Sequence, residues 1–204
     1  MSAATPPAAC LAAIRHKRRV HISSSLLRDT GAAIGGLSVV EFQELVAKGI
    51  DKIDATDSVP TVYVAKVAGL LPGMLTTSDV VTLSDTGTAI GTMSVADVAG
   101  LAGKCIDRID ATDDVLSLTV AKYLGLGTVA LTAADMVTIQ TGRTTYTLPS
   151  TADNLEFTGN GKFTGTGNAS ANLMTGGVSA DSLSGLAGND MLIGGGGLPA
   201  RRGR

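Results

Sequence analysis

Aspartates and glycines at fixed spacing are the residues of this chain that could do chemistry. Gly176–Ser184 and Gly185–Ile193 are consecutive nine-residue units; position six is Asp181 and then Asp190, and position eight is Leu183 and then Leu192. A weaker unit, Gly167–Thr175, puts Asn172 and Met174 in the same register. Oxygen-rich turns of this kind suit a hard cation, because calcium takes about six to eight oxygen ligands, many of them backbone carbonyls. Glycine allows the tight turn by entering positive φ without steric cost. The candidate metal-binding residues are therefore Asp181, Asp190 and Asn172, with the turn glycines Gly176, Gly185, Gly188 and Gly194.

The departures from a regular pattern limit that chemistry. Position two is Leu186 in the last unit, position four is Ser179 in the middle one, and Asn172 brings no charge. The unit that begins at Gly194 reaches Pro199 at position six. One or two weak sites are expected rather than a filled series. Catalysis is not expected: H-E-x-x-H and G-x-S-x-G are both missing, and the two histidines, His16 and His21, lie in a basic N-terminal stretch. No phosphate-binding loop motif occurs either.

The elements that must position these turns are themselves repeated. Residues 29–84 and 85–140 align without a gap, and about half of their positions are identical. Ile53, Val81, Ile109 and Val137 fall 28 residues apart, as do Ala55, Leu83, Ala111 and Ile139. Each pair has the i, i+2 spacing of a strand with one buried face. Ser38-Val-Val-Glu41 and Ser94-Val-Ala-Asp97 carry the signature of a capping box, predicting helices that end near Gly49 and Cys105. Shorter helices are predicted over 62–70 and 120–126. The fold class expected is an α/β repeat solenoid, with parallel strands every 28 residues and helices outside, followed by a short all-β parallel β-roll. On the strands, Asp54, Thr82, Asp110 and Thr138 should face solvent, while Asp57 and Asp113 should shape turns through Asx-type hydrogen bonds. The organisation expected is a disordered basic tail over 1–22, the solenoid over 23–143, the roll over 144–197 and a disordered tail over 198–204.

Composition sets further bounds. A net charge of −2 and a pI near 5.6 argue against nucleic acid as the main partner. No apolar run approaches the roughly 18 residues of a membrane span. Cys10 and Cys105 are isolated, Cys105 standing where the first repeat has Gly49, so neither a disulfide nor a metal role is expected of them.

The nonapeptides, preceded by Ile50-Asp-Lys-Ile-Asp-Ala-Thr-Asp57 and Ile106-Asp-Arg-Ile-Asp-Ala-Thr-Asp113, are similar to the repeat region of RTX-type (hemolysin-type) bacterial calcium-binding proteins. The resemblance covers about residues 29–197. It implies a β-roll in which two nonapeptides make one coil. The turn of Asn172 would then stack with that of Asp190, and the turn of Asp181 with the one beginning at Gly194. It also implies Ca2+ as the bound ion and an extracellular location reached by type I secretion, although no export signal is visible in this chain. The function expected is calcium binding in a secreted repeat protein with a structural or adhesive role, its surface or matrix partner unassigned. The alternatives are the accessory C-terminal region of a secreted enzyme, or a metal-free structural solenoid. The missing export signal and the collapse after Gly197 read as a fragment of a longer protein.

Overall fold

The computed structural model describes residues 25–196. The basic N-terminal stretch with Cys10, His16 and His21, and the tail with Pro199, lie outside the described residues. Among the described residues every strand pairing is parallel, and they divide into two compact units, 25–112 with 125–132, and 113–124 with 133–196. This division runs through the second 56-residue repeat, and the expected boundary at 143/144 falls inside the second unit.

The first unit runs β1 (Ser25–Asp29), α1 (Gly31–Gly36), α2 (Val39–Ala47), β2 (Ile50–Ala55), β3 (Thr61–Val62), α3 (Val64–Val67), β4 (Thr82–Asp85), α4 (Gly87–Thr92), α5 (Val95–Gly100) and β5 (Arg108–Ala111), with β7 (Ala130–Leu131) returning to it. The two capping boxes form as expected. The Ser38 and Ser94 hydroxyls accept from the Glu41 and Asp97 amides, and those two carboxylates accept from the serine amides, which fixes where α2 and α5 begin. α2 ends at Lys48, next to Gly49 at φ +81°, and Cys105 holds the matching left-handed position at φ 60°. Cys105 is buried and is not a free thiol, against the expectation that it plays no covalent part.

α1 and α4 were not legible as helices, because Asp-Thr-Gly-x-Ala-Ile-Gly reads as a turn. Their short length is supported by local caps: Thr30 and Thr86 accept from Ala33 and Ala89. Asp57 Oδ1 additionally accepts from the Gly31 amide at 2.8 Å. Asp57 therefore makes a long-range helix cap rather than the expected Asx turn. Gly35 has to be glycine for space, since a Cβ there would collide with the Thr61 carbonyl.

Burial follows the predicted columns. Ile53, Val81, Ile109 and Val137, and Ala55, Leu83, Ala111 and Ile139, are all buried. Their pairing is different. Leu27 pairs with Ile53, which bridges to Leu75; Val62 pairs with Leu83, Leu83 with Ile109, and Ile109 with Leu131. Strands 28 residues apart are thus not partners, because each repeat contributes strands to more than one sheet. Asp54, Thr82, Asp110 and Thr138 are half-buried rather than open to solvent. Arg28 Nε lies 2.8 Å from Asp54 Oδ2 while Thr76 donates to Oδ1; in the second repeat Ser84 and Thr132 donate to Asp110. The predicted helix over 62–70 shrinks to α3, since Val62 is spent on a strand.

In the second unit, β6 (Val115–Thr119) and α6 (Val120–Gly125) precede a regular succession: β8 (Met136–Thr141), β9 (Thr145–Thr147), β10 (Asn154–Phe157), β11 (Thr164–Thr166), β12 (Leu173–Thr175), β13 (Ser182–Ser184) and β14 (Met191–Ile193). Successive strands alternate between two sheets, one ordered β14-β12-β10-β8-β6 and the other β13-β11-β9. Their inward side chains fill the space: Ile139, Leu155, Met174 and Leu183 are buried, and Phe157 stacks on Phe163 with ring centroids 4.5 Å apart. Across the described residues no helix is long and apolar enough to cross a membrane.

Candidate functional site

The nonapeptide strands pair in steps of two units. Met174 lies opposite Leu192 and Gly165 opposite Leu183. The turns therefore fall into two separate columns. One contains Asp153, Asn172 and Asp190, each two residues before its strand's inward side chain; the other contains Phe163 and Asp181. The expected stacking of the Asn172 and Asp190 turns is present. The Asp181 turn meets the segment after Ile193 in the same way: Gly196 donates its amide to the Gly177 carbonyl, and a Cβ on Gly195 would collide with that oxygen.

One bonding rule repeats along these columns. An aspartate at this position accepts from the backbone amide of the residue opposite it on the preceding strand. Asp190 Oδ1 accepts from Asn172 N at 3.0 Å, Asp181 Oδ1 from Phe163 N at 2.8 Å, and Asp153 Oδ2 from Val137 N at 2.8 Å. The same contact occurs in the first unit, where Asp107 Oδ2 accepts from Val81 N at 2.8 Å. Asp181 uses its other oxygen to accept from Gly177 N at 2.7 Å, closing its own turn. These carboxylates meet the hydrogen-bonding need of amides at the strand starts, which would otherwise go unpaired.

Asn172 is built in more tightly. It is 2 % exposed; its Oδ1 accepts from Asn168 N, and its Nδ2 donates to the Asp153 carbonyl and to Asn168 Oδ1. Asn168 itself donates to the Pro149 and Ala152 carbonyls. The glycines keep the turns close. Gly176 and Gly185 lie against the Asp181 and Asp190 carboxylates, and Gly188, at φ +114°, leaves room for the Ser170 carbonyl, 2.5 Å from where its Cβ would be. Gly194 is half-buried directly after β14.

These residues fit calcium in part. The donors are hard oxygens, and a carboxylate oxygen that accepts one amide keeps a second lone pair. The charges, however, are spread out. Neutral Asn172 separates Asp153 from Asp190, and the residue opposite Asp181 is Phe163. Among the described residues no three His, Cys, Asp or Glu side chains gather as a metal-holding group. A cation at these turns would rest on one carboxylate and several carbonyls, Asp190 beside the Ser170 turn being the most complete set. Asp153 was missed in the sequence because no glycine marks its turn; its signal was the Asp-Asn-Leu-Glu-Phe alternation, with an acid two residues before an inward leucine. Comparison of the chain with family models, curated proteins and solved structures finds no match.

Proposed function

We propose that this chain is a structural repeat module of a secreted RTX-like protein, an α/β solenoid running into a parallel β-roll whose turns bind calcium. The observation that carries the reading is the register of the second unit. Nine-residue units place successive strands in alternate sheets and bring every second turn together, so that Asp190 faces the Asn172 turn. Binding is weak and few-sited, because each turn offers one carboxylate. With a Kd of about 0.1 mM in roughly 1 mM calcium, linkage contributes about 1.4 kcal/mol. That biases the folding of the last coils without holding up the chain.

A specific observation favours a second reading, a metal-free scaffold. The position-six carboxylates already accept amide hydrogen bonds from the strand before them, which gives them a structural use without any ion. Titration calorimetry with calcium separates the two. The intact chain should take up calcium, and an Asp181→Ala, Asp190→Ala variant should lose that uptake. Equal heats from the two proteins would leave the scaffold reading.

A further inference from the structure

Asp79 is 4 % exposed and lies two residues before Val81, whose amide donates to Asp107 Oδ2. Its Oδ2 accepts from Ala55 N at 3.1 Å and from the Thr76 hydroxyl at 2.7 Å. Its Oδ1 has no partner, and among the described residues it is the buried side-chain oxygen or nitrogen left so. A buried polar atom without a partner costs about 1–3 kcal/mol, more when it is charged.

Three fillers could answer that atom: a proton, a water or a cation. Two donors on Oδ2 favour the ionised form of Asp79, which disfavours the proton. A water would complete a hydrogen bond but leave charge uncompensated. That matters because the Asp107 carboxylate is close enough for the two to repel: burial first, and then the charge of Asp79, push its pKa up, while the Val81 amide and Arg108 hold it down. A cation answers both groups at once.

We infer that Asp79 and Asp107 hold a divalent cation of the calcium kind in the first unit, at a site separate from the nonapeptide turns. The remaining oxygens would come from backbone carbonyls and water, as calcium commonly takes them. In the second repeat Asp135 occupies the place of Asp79 and is also buried, but it is already engaged, so the site is confined to the first repeat.

Calcium calorimetry on the full chain tests this, using Asp107→Asn. The asparagine oxygen can still accept from the Val81 amide, so the fold is retained, and thermal melting checks that it is. Asp107→Asn should bind one equivalent fewer than the intact chain. The Asp181→Ala, Asp190→Ala variant should keep that equivalent, and adding Asp107→Asn to it should abolish it. Unchanged stoichiometry in a folded Asp107→Asn protein overturns the inference, as does a folded Asp181→Ala, Asp190→Ala variant that binds no calcium. If the double variant does not fold, the comparison of Asp107→Asn with the intact chain decides alone. Asp79→Asn, which removes the charge behind the orphaned oxygen, should repeat the loss, and unchanged uptake there also overturns it.

Discussion

Replacing Asn172 by an aspartate would restore the acidic residue of a regular nonapeptide, and should nevertheless destabilise the calcium-free protein. Asn172 Nδ2 donates to the Asp153 carbonyl and to Asn168 Oδ1, both at 3.0 Å, inside a position that is 2 % exposed. Asn172→Asp puts an oxygen against two acceptors. Two hydrogen bonds are lost at about 1 kcal/mol each, and the new buried charge adds a penalty of similar size or larger, giving roughly 3–5 kcal/mol. For a chain of this size that lowers the melting temperature by roughly 10 °C. Calcium should recover more stability in the variant than in the parent, because a new carboxylate would then stand between those of Asp153 and Asp190 in the column. Thermal melts of both proteins in chelator and in millimolar calcium read the two effects. A variant as stable as the parent in chelator would refute the hydrogen-bond argument, and an equal calcium increment in the two proteins would refute the placement of the ion.

Other expectations follow from single positions. Ile109→Ala, at a side chain with no exposure, should cost about 2–5 kcal/mol by chemical denaturation, whereas Leu124→Ala, at a residue 63 % exposed, should change stability little. Gly167→Ala should destabilise, since its Cβ would lie 2.5 Å from Asn172 Oδ1 and 2.6 Å from the Gly185 carbonyl; Gly161→Ala, with open space around it, should be tolerated. The Asp107 pKa is raised, chiefly by burial, so the fold favours its protonated form. Its contribution is therefore fully present below the unfolded value near 3.8 and is lost as pH rises through the higher folded value. In calcium-free buffer Asp107→Asn should accordingly flatten the fall in stability above pH 4 and make the protein more stable at neutral pH, as read by denaturant melts across that range.

Much of the local structure was legible because it is governed by neighbours in sequence. The boxes at Ser38 and Ser94 needed only a hydroxyl and a carboxylate three residues apart, and the i, i+2 aliphatics located buried strand faces wherever they occurred. Pairing was not legible. A parallel partner is chosen by how the intervening chain returns, so Leu83 meets Ile109 rather than Ala111 or Ala55 although all are buried in the same pattern. α1 escaped notice because part of its N-terminal capping comes from Asp57, 26 residues away. At the candidate site, the nonapeptide spacing foretold the stacking of Asn172 on Asp190. The spacing could not foretell that Asn172 is saturated by its neighbours, nor that Asp153 continues the column, because both depend on the turn at 149–153 that carries no glycine.

Calcium binding by the second unit through its turn aspartates is the central claim, and direct calcium titration of the intact chain beside the Asp181→Ala, Asp190→Ala variant tests it most plainly. Uptake should saturate in the millimolar range in the intact chain and be lost at those turns in the variant. Identical isotherms for two folded proteins would contradict the claim.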